Sequence, residues 1–200
     1  MAGLTENTCW KDFVSGKEYA FRVLYDYYAD RLFAFGCRYS QDTELIRDLI
    51  HDLFVDIHHY RPRLDANANA TAYLFSSLRR KIASAVKKRQ RHMELYAAFE
   101  EGIPFLIEWD IERMAIRNEE EAELLRRVVK EVNRLSGRHQ EALYLRFTCE
   151  LDYAEVADVM GVSIASCRTM VYRAVKELRK KLADIPVSNV LFIALMHSRK

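Results

Sequence analysis

The sequence YAEVADVMGVSIASCRTMVY, residues 153–172, has the spacing of a helix-turn-helix. Such a unit needs a small residue where its two helices cross, and Ala157 occupies that position. Four residues later it needs a turn residue that tolerates a positive φ, and Gly161 meets this requirement. Ser163 follows as the predicted N-cap of the second helix. The other constrained positions should be buried, and they are apolar or a small thiol: Val156, Met160, Val162, Cys167 and Met170.

The second helix of this unit carries polar and basic side chains outside the predicted buried set. An arginine such as Arg168 can donate two hydrogen bonds to a guanine edge in the major groove, and serine or threonine can serve several bases. Later basic residues such as Arg179 and Lys180 are better placed for phosphates. The alternative for them is a solvated helix end that complements the helix dipole. The predicted DNA-reading set is Ser163, Ala165, Ser166, Arg168, Thr169, Tyr172, Arg173 and Lys176.

Charge is unevenly distributed along a chain whose 31 basic and 29 acidic residues give a net charge of only +2. Residues 42–60 hold five acidic residues and one basic residue, and residues 94–123 hold ten acidic and two basic. By contrast, residues 79–92 hold seven basic residues and no acidic one, and residues 163–181 hold six basic and one acidic. Each basic segment is suited to a polyanion, with a solvated helix face as the alternative.

Composition and periodicity both predict a helical protein. Half of the 200 residues are hydrophobic, but only six are Gly and three are Pro, too few for the many tight turns of sandwiches and barrels. Apolar residues recur at helical spacing in three segments, which predicts a small bundle between residues 17 and 90. The three stripes are Phe21, Leu24, Tyr25, Tyr28, Leu32, Phe35 and Tyr39; Ile46, Leu49, Ile50, Leu53, Ile57 and Tyr60, after an N-cap at Asp42; and Leu74, Leu78, Ile82 and Ala85.

A second helical unit follows a segment that lacks a clean period. Its predicted parts are a stripe at Leu125, Val128, Val132 and Leu135, a break at Ser136-Gly137, a short helix over 138–147, and a capping box formed by Asp152 and Glu155. The predicted fold is therefore all-α, with two small helical domains joined by a linker and the helix-turn-helix in the second domain. The predicted boundaries are 1–92 for the first domain, 93–118 for an acidic linker whose apolar residues dock, 119–183 for the second domain and 184–200 for a C-terminal extension.

Disulfides, membrane anchors and catalytic metals are not predicted. The four cysteines (9, 37, 149 and 167) lack metal-ligand spacing, so free thiols in a reducing, cytoplasmic protein are expected. No signal-peptide pattern or apolar run of about 20 residues indicates secretion or a membrane span. A metal-dependent phosphohydrolase using His51-Asp52, Asp56 and His58-His59 is a rival interpretation, but such sites usually draw ligands from several helices. We expect no metal, no cofactor and no catalytic residue.

The order of the two helical units resembles the extracytoplasmic-function (ECF) group of bacterial sigma factors, over roughly residues 17–182. YDYYADRLFAFGCRY (25–39) resembles the opening helix of the family's region 2, and IRDLIHDLFVDIH (46–58) resembles its acidic helix, with His51 where glutamine is usual. AYLFSSLRRKIASAVKKRQR (72–91) resembles the helix that binds and melts minus-ten DNA, with Arg80 and Ser84 where Asn and Asp are common. Residues 135–182 resemble region 4, which reads the minus-thirty-five element.

This resemblance implies two partners, core RNA polymerase and promoter DNA, and leaves an anti-sigma factor as an open third. The implied minus-ten set is Asn69, Tyr73, Arg79, Arg80, Lys81, Lys87 and Lys88. The implied polymerase-binding set is Asp48, His51, Asp52, Phe54 and Asp56. Aromatic residues such as Tyr73 and Phe75 would stack on bases, with core packing as the alternative. The two face different ways, so only one of them is expected in the core. The loop 64–69 would wall a pocket for an extruded base.

The implied function is promoter recognition and DNA melting for transcription initiation, which has no covalent step. The alternative is a helix-turn-helix regulator that never joins a polymerase, although nothing in the chain alternates strand and helix as the receiver domains of many such regulators do. The stretch 185–197 is expected to be a short helix over an apolar face of region 4 or, alternatively, a docking segment for an inhibitor.

Overall fold

The computed structural model describes residues 6–92, 105, 107 and 119–182, and every regular element within those ranges is helical. The chain divides into two compact units, Met1–Tyr96 and Ala97–Lys200. The predicted all-α fold class is therefore confirmed. The finer domain boundaries stay predictions, and both the C-terminal stretch 185–197 and most of the linker lie outside the described residues.

The first unit contains four described helices, one more than the periodicity predicts. They are α1 (Glu6–Val14), α2 (Glu18–Gly36), α3 (Thr43–Tyr60) and α4 (Ala70–His92), with a 3-10 turn at Arg61–Arg63. The additional helix is α1, which packs against α2, α4 and the 3-10 turn. It contributes Cys9, Trp10 and Phe13 to the core, and all three are buried.

The predicted stripes of the first unit form its core, with exceptions at their edges. The fully buried side chains include Leu24, Tyr28, Leu32, Phe35, Ile46, Leu53, Ile57, Leu74, Leu78 and Ile82. Tyr25 and Tyr60, which the stripes include, are instead 43% and 47% exposed. The predicted N-cap at Asp42 is confirmed, because its carboxylate accepts a hydrogen bond from the backbone N–H of Leu45 at 3.0 Å.

The second unit contains α5 (Glu119–Val132), α6 (Gly137–Leu143), α7 (Tyr153–Met160) and α8 (Ile164–Lys181). The single short helix predicted over 138–147 is in fact α6 followed by one wider π turn at Tyr144–Thr148. Val128, Val132 and Leu135 are buried as predicted. Of the linker's apolar residues, Phe105 and Ile107 are described and buried, and the Phe105 ring lies 5.6 Å from that of Tyr144.

The helix-turn-helix is formed by α7, its turn and α8. Asp152 and Glu155 complete the predicted capping box at the start of α7, and Gly161 ends that helix at φ 65° in the left-handed region. Ser163 caps α8 by accepting the backbone N–H of Ser166 at 3.1 Å. Val156, Ala157, Met160 and Cys167 are buried as predicted. Val162 and Met170 are only half-buried, and Val171 is the buried residue of that turn of α8.

Candidate nucleic-acid interface

The exposed face of α8 holds the predicted DNA-reading side chains together. The buried side of the helix is Cys167, Val171, Ala174 and Leu178. Helical spacing puts the predicted readers on the other side, and all of them are exposed: Ser163, Ala165, Ser166, Arg168, Thr169, Tyr172, Arg173 and Lys176. The N-terminal half of this face is polar, and its C-terminal half is basic.

Local hydrogen bonds already use two of the hydroxyl groups on this face as donors. The Ser163 hydroxyl caps the helix and also donates to the hydroxyl of Ser166 at 2.8 Å. The Thr169 hydroxyl donates to the carbonyl oxygen of Ala165 at 2.9 Å, so it faces a ligand as an acceptor. The Ser166 hydroxyl, which accepts from Ser163, and the Arg168 guanidinium keep donors that can face a ligand.

An aromatic ring that the sequence reasoning missed lies beneath Arg168. The guanidinium carbon of Arg168 is 5.6 Å from the centroid of the Tyr153 ring, and that of Arg146 is 5.2 Å from the same ring. Arg146 also donates to the carbonyl oxygen of Leu151 at 3.0 Å. The ring of Tyr153 is thus a cation–π platform that limits where the Arg168 head can go. The only sequence signal was that Tyr153 opens α7.

The exposed face of α4 is the second basic surface. Tyr73, Arg80, Ser84 and Lys87 recur at i, i+7, i+11 and i+14, which places them on one side of the helix. Lys88 flanks them, and a groove of about 380 Å³ between α3 and α4 is lined by Leu49, Arg80, Lys81, Ser84, Ala85 and Lys88. Two members of the predicted minus-ten set lie at the sides of this face, because Arg79 is half-buried and Lys81 forms an ion pair with Asp56 at 2.6 Å.

The two aromatic residues at the start of α4 have different environments. Phe75 is fully buried and packs 5.0 Å from the Phe35 ring, so it belongs to the core and cannot stack on a base. Tyr73 is half-buried, and its ring lies 5.4 Å from Trp10 of α1. Asn69 caps α4, because its side-chain oxygen accepts the N–H of Ala72 at 2.9 Å. Asn69 therefore has a structural role as the N-cap of α4, in addition to the base contact that is predicted for it.

The acidic face of α3 contains three of the five predicted polymerase-binding residues. Asp48, His51 and Asp52 are exposed on one side of the helix, and Asp48 and His51 also line a cleft of about 470 Å³ between α2 and α3. The prediction that Phe54 contacts polymerase is corrected. Phe54 is a core residue, because it is 2% exposed and its ring packs 4.8 Å from that of Tyr25. Asp56 points toward α4, where it pairs with Lys81.

One apolar side chain that the sequence reasoning missed extends this acidic face. Val55 is 51% exposed and lies on the same side of α3 as Asp48 and Asp52. The sequence did carry a signal, because Val55 lies outside the apolar stripe of this helix and seven residues after Asp48. An exposed valine beside two carboxylates offers a partner both apolar and charged contacts.

The described residues contain no group of three or more His, Cys, Asp or Glu side chains that could hold a metal ion. None of the four cysteines, which all lie in the described residues, forms a disulfide, and burial raises the pKa of the Cys9 and Cys167 thiols, which disfavours the reactive thiolate. Within the described part of the chain, no helix has the length and apolarity needed to cross a bilayer.

Comparison with known proteins matches both units. Residues 24–92 match the family described as Sigma-70 region 2, and residues 125–178 match Sigma-70, region 4. The RNA polymerase sigma factor CarQ of Myxococcus xanthus is 22% identical over 173 residues, covering 86% of this chain and 95% of CarQ. The RNA polymerase sigma factor YlaC of Bacillus subtilis strain 168 is 23% identical over 159 residues, covering 80% of this chain and 90% of YlaC.

Solved structures with the same fold span most of the chain. CnrH, in complex with the cytosolic domain of CnrY, is 21% identical with a TM-score of 0.54, covering 90% of this chain and 97% of CnrH. The sigma factor RpoE of Bartonella quintana, in complex with the anti-sigma factor NepR, is 23% identical with a TM-score of 0.55, covering 86% and 98%. The two matched sigma-70 regions together span more than half of the residues, and the chain therefore belongs to the sigma-70 family of RNA polymerase sigma factors, in its ECF group.

Proposed function

We propose that this sigma factor uses three separate helix faces: the acidic face of α3 for core RNA polymerase, the basic face of α4 for the minus-ten element, and the exposed face of α8 for the minus-thirty-five element. The observation that carries the proposal is the presence of a basic helix face on each of two compact units. A single DNA-binding regulator needs only one such face, whereas a protein that reads two separated promoter elements needs two.

On α8, the face divides into base-reading and phosphate-binding parts. Arg168 is assigned to a base edge, because it is the first basic side chain of the helix, is exposed, and can bind guanine through two hydrogen bonds. Arg173 and Lys176 are assigned to phosphates, and so is the basic last turn of the helix. Phosphate contacts supply affinity that depends on salt, while the base contact supplies specificity.

On α4, the aligned basic side chains are assigned to the phosphates of the DNA that is opened. Melting costs a few kcal/mol for each unstacked base. Charge neutralisation by Arg80, Lys87 and Lys88, together with stacking on Tyr73, offsets that cost. The exposed loop 64–69, directly before this helix, is assigned to the wall of a pocket for an extruded base. All of this is binding and unstacking, so the proposed role includes no covalent step.

On α3, Asp48 and Asp52 are assigned to a basic surface of the polymerase, with Val55 as an apolar contact between them and the end of the helix. The cleft beside them, between α2 and α3, provides a concave surface for a partner side chain. The family assignment further supports a cytoplasmic location. An anti-sigma factor as a third partner is supported only by the complexes in which the related folds were solved.

The proposal is tested by adding the purified chain to core RNA polymerase and a duplex template library randomised across the promoter region, then sequencing the transcripts. We expect transcripts that depend on the chain and whose templates share two sequence elements at a fixed spacing. Binding of the chain to DNA without any holoenzyme or transcript would instead favour a regulator that acts alone.

A pair of variants of α3 tests the polymerase contact within the same assay. Asp48→Asn combined with Asp52→Asn should weaken core binding roughly 10-fold or more, in the range of one or two lost charge contacts at an interface. Asp56→Asn is the matched control on the same helix, because Asp56 is already paired with Lys81 and should affect core binding much less. Equal losses from both variants would contradict the assignment.

A further inference from the structure

Trp10 of α1 makes a contact that the proposed function does not yet use. It lies outside the matched region 2, which begins at residue 24, and is 1% exposed. Its indole Nε1 donates a hydrogen bond to the backbone carbonyl oxygen of Asp65 at 2.9 Å, across 55 residues of sequence. On its other side, its ring lies 5.4 Å from that of Tyr73. One buried side chain thus contacts both the loop 64–69 and an aromatic residue of the basic face.

The loop 64–69 has its own short-range hydrogen bonds, which set its internal shape. The carbonyl of Asp65 also accepts the N–H of Ala68 at 3.1 Å, and the carboxylate of Asp65 accepts the N–H of Asn67 at 2.8 Å. At the end of the loop, Asn69 caps α4. These bonds make a compact turn, and the bond from Trp10 attaches that turn to a helix of the core.

The attachment leaves the outer surface of the loop accessible. The side chains of Asp65, Asn67 and Asn69 are exposed, while the backbone of Asp65 is held from beneath by the indole. The indole in turn is fixed by the Phe13 ring, whose centroid is 5.8 Å away. A binding surface held from beneath by a rigid aromatic residue is preorganised, so it need not be ordered when a ligand binds.

We infer that Trp10 is a positioning residue for minus-ten recognition: it holds the loop 64–69 and the Tyr73 ring in one arrangement, and so sets the base preference of the opened promoter. The inference rests on the proposed role of that loop and of α4. Trp10 does not touch DNA, because it is buried. Its effect passes through the Asp65 carbonyl and the Tyr73 ring.

The test compares holoenzymes on a duplex template library randomised across both promoter elements. Trp10→Phe keeps an aromatic ring but removes the N–H donor. Phe35→Leu is the matched control, since Phe35 is an equally buried aromatic residue of the same unit whose ring packs against Tyr39 and Phe75. We expect Trp10→Phe to relax the base preference at one or more minus-ten positions by roughly 2- to 10-fold, the equilibrium effect of one lost hydrogen bond. The minus-thirty-five preference and the affinity for core polymerase should not change.

If Trp10→Phe fails to fold, a second variant tests the same inference. In it Trp10 is replaced by benzothienylalanine, which has the shape of tryptophan but no N–H. Relaxed minus-ten preference in either variant of Trp10, and not in Phe35→Leu, supports the inference. Uniformly weaker transcription with unchanged base preference overturns it, because that is what a purely structural residue would cause. Failure of the wild-type chain to yield any transcript is a different result, and it overturns the proposed function itself.

Discussion

At the scale of single residues, Arg168, which we propose reads a base, has its side chain confined before DNA binds. Its guanidinium lies over the Tyr153 ring, so a binding site gains a pre-placed donor rather than a flexible one. Arg168→Ala should cost roughly 1–3 kcal/mol at one base pair of the minus-thirty-five element. Tyr153→Leu should lower discrimination at the same base pair by a smaller amount, because the arginine remains but is less ordered. Selection of DNA from a randomised library by each holoenzyme measures both effects.

Lys176 supplies the comparison for that experiment, because it lies on the same face of α8 but is assigned to a phosphate. Lys176→Ala should weaken DNA binding by a similar factor on all sequences. It should also reduce the slope of log affinity against log salt concentration by about one. If Arg168→Ala behaved in this same uniform way, Arg168 would be a phosphate contact, and the base would be read by another residue.

His139 of α6 makes the stability of the second unit dependent on pH. Burial lowers the pKa of His139 below its ordinary value of 6.5; nearby Glu177 raises this pKa and Arg173 lowers it. The unfolded chain therefore binds the proton first as the pH falls, so stability that is present above about pH 6.5 is lost on acidification. In thermal unfolding of the full chain between pH 7.5 and 5.5, His139→Gln should flatten the decrease in Tm. Identical pH profiles for the two proteins would contradict this.

At the scale of elements, the packing of α2 against α3 depends on a glycine. A Cβ added at Gly36 would lie 2.5 Å from Cγ2 of Ile46, closer than real Cβ contacts allow. Gly36→Ala should therefore destabilise the chain by roughly 1–3 kcal/mol in denaturant unfolding, despite the higher helix propensity of alanine. Ile46→Leu removes the branch at Cβ, so in that background the cost of Gly36→Ala should shrink. A stabilising Gly36→Ala would show that the two helices shift apart at little cost.

The sequence predicted the long elements and their caps because their signals are local. Asp42, Ser163 and the Asp152–Glu155 capping box act within one helical turn, so a single sequence window contains all the required information. The sequence did not predict α1, because nine residues with apolar positions at 9, 10 and 13 are too short a pattern to establish a helical period. Its burial depends on contacts with α2 and α4 that are distant in sequence.

The contact sets were predicted less completely, because exposure depends on which neighbour packs where. Phe54 and Val55 are adjacent apolar residues of α3, yet the first is 2% exposed and the second 51% exposed. The family motif includes Phe54, and only the packing of Tyr25 against it shows that its role is in the core. In the same way, the platform beneath Arg168 and the indole beneath the loop 64–69 are tertiary contacts that no spacing rule encodes.

At the scale of the whole molecule, a net charge of +2 conceals surfaces of opposite sign on separate helices. The acidic face of α3 and the basic face of α4 belong to the same unit, where the Lys81–Asp56 pair joins the two helices at a point of contact. Such a half-buried pair still reaches solvent and contributes little to stability, typically below about 1 kcal/mol. Segregated charge of this kind is better explained by the need to bind two partners of opposite sign than by folding.

The basic faces of α4 and α8 lie on different compact units, so their contributions to promoter binding should be independent. Lys88→Ala and Lys176→Ala each remove one phosphate contact and should each lower the slope of log affinity against log salt by about 0.9. Because the two side chains belong to different compact units, the free-energy cost of the double variant should equal the sum of the single costs within about 0.5 kcal/mol. The measurement is the affinity of the holoenzyme for one promoter duplex over a series of salt concentrations, made for the wild type, the two single variants and the double variant. A coupling well above 1 kcal/mol would mean that binding at one element changes how the other unit engages DNA, and the two faces would then have to be treated as a single site.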